Sequence, residues 1–100
     1  MADVLLSLTL PNDVAQHVED LLLSRPELVR GFTSSRAYGH GTVVPLLDTA
    51  ELVSGHAQRT QIRLAGDEND MRAVLEIIKA SLPRANIFYW LVPVIEMGRL

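Results

Sequence analysis

Cysteine is absent from all 100 residues. Its absence excludes disulfide staples, thiolate metal sites and a cysteine nucleophile. A basic stripe is missing as well. Nine Lys and Arg residues are scattered singly among twelve acidic ones, for a net charge of −3. Nucleic-acid binding is dominated by phosphate neutralisation, so this pattern argues against a nucleic-acid partner. No apolar run is long enough to span a bilayer. The opening MADVLLSLTLP places Asp3 where a secretory leader carries positive charge, and its apolar run meets Pro11 early. The expected address is therefore cytoplasmic.

Catalytic signatures are equally scarce. The chain has no Gly-x-Ser-x-Gly, no phosphate-cradling glycine loop and no evident pair of carboxylates in a pocket. We expect no enzyme activity and no cofactor. A small ferredoxin-like enzyme stays an alternative, because the fold hosts many chemistries and some of its oxygenases use few polar residues.

What is present points to a single globular domain over residues 1–100, with 48% hydrophobic and 21% charged residues. Val4, Leu6, Leu8 and Leu10 alternate with Ser7 and Thr9, as in a strand with one side in the core. Pro11, Asn12 and Asp13 suit a helix start, and Val14, Val18, Leu21 and Leu22 recur at helical spacing until Pro26. Leu28 to Tyr38 is expected to form a second strand, with Gly31, Thr33, Ser35 and Ala37 making one face of small residues. Asp48-Thr49-Ala50-Glu51 has capping-box spacing and predicts a short helix ending at Gly55. A third strand is expected from His56 to Ala65, with Arg59, Gln61 and Arg63 on the face opposite Thr60, Ile62 and Leu64. Asp67 and Asp70 open a second long helix, whose buried stripe is Met71, Val74, Leu75, Ile78 and Leu82. The last strand, Ile87 to Val92, is apolar on both faces, and Pro93 marks an edge position or a bulge.

The order β-α-β-(short helix)-β-α-β predicts an α+β, ferredoxin-like fold, an antiparallel sheet with two helices on one face. Two helices cover one face only, yet the last strand is apolar on both. A second copy of the chain is the simplest cover for the other face.

The step Gly31-Phe32-Thr33, the loop start Tyr38-Gly39-His40-Gly41 and the closing Tyr89-Trp90…Pro93-Val94…Glu96…Gly98-Arg99 together resemble a small PII-like family of unknown function. That family belongs with the nitrogen-regulatory PII and CutA proteins. The resemblance covers nearly the whole chain. It implies a homotrimer with open sheet faces turned inward, a small ligand such as an adenine nucleotide in clefts between subunits, and a central loop that docks on a partner such as a membrane transporter. It also implies a regulatory role, with a link to metal homeostasis. Gly31 and Thr33 resemble the step that lines the PII nucleotide cleft, and Gly39, His40 and Gly41 resemble the start of the signalling loop. With Arg36 and Arg84 they form the expected ligand-binding set.

Two departures count against a nucleotide. The loop Ser81–Asn86 has no glycine and only one Arg, and the closing stretch holds Ile95, Glu96 and Met97 where PII proteins have Arg-Ile-Arg. Anion binding needs donors and positive charge. A CutA-like metal-binding or metal-tolerance module using His40 and His56 is the alternative. No spacing of His17, His40 and His56 matches a metal motif, so no metal site is assigned.

Overall fold

The computed structural model describes residues 2–40 and 57–100. It contains β1 (Asp3–Pro11), α1 (Asn12–Leu23), β2 (Thr33–Gly39), β3 (Ala57–Asp67), α2 (Glu68–Ser81) and β4 (Phe88–Pro93). The strands form one sheet in the order β2-β3-β1-β4, and every neighbouring pair is antiparallel. This is the expected α+β arrangement. The short helix predicted before Gly55 lies outside the described residues.

Alternation in β1 decides which side of the sheet is covered. Val4, Leu6, Leu8 and Leu10 are all buried beneath the helices. They meet Ile62 and Leu64 of β3, Val18 and Leu22 of α1, and Met71, Val74 and Ile78 of α2 in one core. Fully burying a side chain of this size contributes about 1.5–3 kcal/mol. A slip of one residue in the β1–β3 register, which pairs Leu6 with Leu64 and Leu8 with Ile62, would turn every one of these leucines outward.

The two helices begin differently. At α2 the Asp67 carboxylate accepts the Asn69 amide at 3.0 Å, and Lys79 lies in the last turn. At α1 the preceding residue is Pro11, which belongs to β1 and offers no side-chain cap. Asn12 does not cap its own helix either. Its Oδ1 accepts the Thr60 hydroxyl at 2.8 Å and ties the start of α1 to β3. Across the helix layer, His17 Nε2 and Ser81 Oγ meet at 3.0 Å.

The second strand is shorter than its sequence pattern suggests. The Arg25 carbonyl accepts the amides of both Leu28 and Val29, at 3.0 and 2.9 Å, so the chain turns where a strand was expected to begin. Val29 is buried and Leu28 and Phe32 pack against the core, which explains the apolar residues there without a strand. The third strand runs two residues beyond the expected Ala65, to Asp67.

Candidate functional site

The side of the sheet away from the helices carries no cover among the described residues. Leu5, Ser7 and Thr9 of β1 lie there beside Ala65, Arg63 and Gln61 of β3 and Val92, Trp90 and Phe88 of β4. The other edge, β2, adds Thr33 opposite Arg63, Ser35 opposite Gln61 and Ala37 opposite Arg59. Composition therefore changes across the face, from small and polar at β2, through basic at β3, to aromatic at β4. Phe88, Trp90 and Val92 are 60%, 49% and 38% exposed. In one chain the last strand is thus uncovered, although its sequence is that of a buried strand.

Among the described residues, two polar groups on this face are nevertheless buried. Ser7 sits between Arg63 and Trp90 and is 4% exposed. Arg59 is equally buried, and its Nη1 donates to the Gln58 carbonyl at 2.8 Å. Arg63 Nη2 donates to the Gln61 side-chain carbonyl. The Arg59, Gln61 and Arg63 row is therefore partly self-engaged.

The expected ligand residues are not gathered by a single chain. Gly31 and Thr33 lie at the start of β2, while Gly39 closes it and His40 follows. Six residues of extended chain separate Thr33 from Gly39, roughly 20 Å. Arg84 is exposed on the turn between α2 and β4, and Gly41, like His56, lies outside the described residues. Arg36 points to the helix side of β2 and lines a groove of about 440 Å³ with Asn12, Tyr38 and Thr60. A Cβ on Gly31 would meet nothing within 4 Å, so close approach within one chain does not require glycine there.

Sequence patterning missed a larger groove, of about 820 Å³, where Gly31 faces Asp67 and Asp70 at the start of α2 and Met97, Gly98 and Arg99 beyond β4. Its walls carry both signs of charge, with Asp3 and Glu27 against Arg30. Beside it, Arg25 Nε donates to Glu27 Oε2 at 2.8 Å. That hydrogen bond is the main cause holding the exposed Glu27 carboxyl below the usual carboxylate range. That residues as far apart in sequence as 31 and 98 line one groove has no local sequence signal. Among the described residues, no three metal-ligating side chains converge, and no helix is long and apolar enough to cross a membrane.

A family model described as "Protein of unknown function (DUF3240)" matches residues 1–100. The chain belongs to the DUF3240 family. A DUF3240 family protein from Shewanella baltica OS155 has a similar structure, with a TM-score of 0.80 at 19% identity, over 100% of this chain and 98% of that one. The nitrogen regulatory PII-like protein CPII from Thiomonas intermedia K12, solved with ADP, AMP and bicarbonate, gives 0.72 at 18% identity, over 100% and 97%. A functionally unknown protein from Pediococcus pentosaceus ATCC 25745 gives 0.67 at 16% identity, over 100% and 99%. Among curated proteins no sequence matches. These likenesses establish the fold of this DUF3240 chain as PII-like.

Proposed function

We propose that this DUF3240 chain is a non-catalytic, PII-like regulator that assembles as a homotrimer through the uncovered sheet face. It senses a small ligand in the clefts so formed and passes that state to a partner protein through the segment between β2 and β3. The observation that carries this reading is the exposure of Phe88, Trp90 and Val92 on the strand whose sequence is that of a covered one. Assembly would also bring the separated set into reach across subunits, with Gly31 and Thr33 of one copy near Gly39 and His40 or Arg84 of another. CPII, bound to ADP, AMP and bicarbonate, supports testing those ligands first. A transporter partner and a role in metal homeostasis belong to the same proposal.

The test combines analytical ultracentrifugation with a thermal-shift panel of ADP, AMP, ATP, bicarbonate and divalent metals. A ligand at 100 times its dissociation constant adds about 2.7 kcal/mol to folded-state stability. For a domain of this size that raises Tm by roughly 10 °C or more. A trimer with such a shift for a nucleotide or bicarbonate is the expected result. A monomer whose Tm responds to none of the panel would overturn the reading. A shift with a metal alone would favour a metal-binding module instead.

A further inference from the structure

The groove of about 440 Å³ beside β2 is charged with a single sign. The described residues that line it include Arg36 and Arg59 and no Asp or Glu. Other grooves mix the signs. One of about 450 Å³ at the end of α2 carries Glu76 beside Lys79, and the one of about 820 Å³ carries Asp3 and Asp70 beside Arg30 and Arg99. In a chain of net charge −3, the basic groove runs against the overall balance.

Strand register builds the groove from two cross-strand pairs on the helix side of the sheet. Arg36 lies opposite Thr60, and Tyr38 lies opposite Gln58, about 7 Å further along. Asn12, the first residue of α1, also lines it. Its Oδ1 accepts the Thr60 hydroxyl at 2.8 Å, which leaves its Nδ2 to donate. Among the described residues Arg36 has no ion-pair partner. The Tyr38 side chain stands beside it, 61% exposed. A guanidinium grips two oxygens of a carboxylate or a phosphate at once, which a lysine ammonium does not do.

We propose that this groove binds a small oxyanion, a carboxylate or a phosphate, with Arg36 as its bidentate partner and the Asn12 amide as a second donor. Its volume leaves room for a carbon body behind the charged group, and Tyr38 offers that body an apolar wall. The site is contained in one chain. It lies on the opposite side of the sheet from Phe88 and Trp90 and needs no second copy, so it stands apart from the inter-subunit clefts proposed above. The β2–β3 ladder ends at Gly39 and Ala57. The oxyanion therefore sits at the root of the segment assigned above to partner docking.

The test is an NMR titration of the ¹⁵N-labelled chain with inorganic phosphate and, separately, with succinate, each against sodium chloride at equal ionic strength. It reads the Arg36 side-chain signal and the backbone amides of Asn12 and Thr60. At least one probe should saturate these signals with a Kd of about 1 mM or tighter. Arg36→Gln should weaken binding about ten-fold or more, and Arg36→Lys, which keeps the charge and loses the fork, nearly as much. Arg72→Gln on α2 should leave it unchanged. Saturation by phosphate alone assigns a phosphate ligand and by succinate alone a carboxylate, and either upholds the site. Shifts that chloride reproduces, that fail to saturate by about 20 mM, or that survive Arg36→Gln overturn it. Because the site lies within one chain, these outcomes are the same for a monomer and a trimer, and the assembly reading stands or falls separately.

Discussion

Phe88 and Trp90, two residues apart on β4, meet edge to face on the uncovered side of the sheet, with ring centroids 5.4 Å apart and planes at 81°. Such a pair is worth about 0.5–1.5 kcal/mol beyond its buried area. Here it forms a rigid aromatic ridge on a half-exposed strand. A ridge of this kind on an edge strand is suited to act as an anchor between molecules.

Trp90→Asp should therefore act on assembly more than on folding. A charged group at an anchor position typically costs about 2 kcal/mol or more of association free energy. The expected outcome is a fall in sedimentation mass towards the 11.1 kDa of one chain, with the far-ultraviolet circular dichroism unchanged. An unchanged mass would place the subunit contact elsewhere.

The contrast between Leu8 and Leu23 tests the core. Leu8 is fully buried and Leu23 is 69% exposed. In urea unfolding, Leu8→Ala should cost about 2–5 kcal/mol, and Leu23→Ala should stay within about 0.5 kcal/mol. A large loss for Leu23→Ala would show that α1 ends in an interface.

Asn86 holds a φ of 56° in the turn leading to β4. Asparagine tolerates this left-handed conformation, while a β-branched residue does not. Asn86→Val is expected to lower stability by about 1–2 kcal/mol, and Asn86→Gly to stay within about 1 kcal/mol. Equal losses in the two variants would point to the side chain's polar contacts and away from its backbone conformation.

The Asp67 carboxylate is the one side-chain cap seen on α2. Asp67→Ala should cost about 1 kcal/mol, while Asp67→Asn or Asp67→Ser should restore most of it. Thermal unfolding of the three variants gives the comparison.

Glu27 titrates below the usual carboxylate range, chiefly because Arg25 donates a hydrogen bond to it. A carboxyl depressed in the folded state contributes stability above its unfolded pKa, and that contribution is lost as pH falls through the folded value. Arg25→Gln should move the Glu27 titration upward in a carboxyl-detected NMR series and reduce its share of the acid-side loss. An unmoved titration would show that the Glu27 backbone, not Arg25, holds the carboxylate.

Much of the scaffold was legible before the structure because its signals are periodic. The Val4-Leu6-Leu8-Leu10 alternation and the Met71-Val74-Ile78 stripe report core contacts directly, and both are buried. Expectations were less accurate where hydrogen bonding, not periodicity, decides the path. Residues 28–32 look like strand because Leu28, Val29 and Phe32 are apolar, yet the Arg25 carbonyl turns the chain there. Asn12 looks like a helix cap and instead accepts from Thr60, 48 positions away. Asn86 holds a positive φ in the loop before β4, which no residue count would reveal. The candidate site was legible as a set of residue types. Its geometry was not, since Gly31, Gly39 and Arg84 are distributed over separate ends and turns of the sheet.

The two rims of the sheet are unlike, with Thr33 and Ser35 on β2 and Phe88 and Trp90 on β4. A contact that joins unlike rims has a head and a tail. Repeated from copy to copy, it closes into a ring when the rotation per step divides a full turn, and it runs on as a filament when it does not. With unlike edge strands, the rotation from copy to copy therefore governs whether this chain builds an object of finite size. Mass that stays constant as concentration rises would identify the ring.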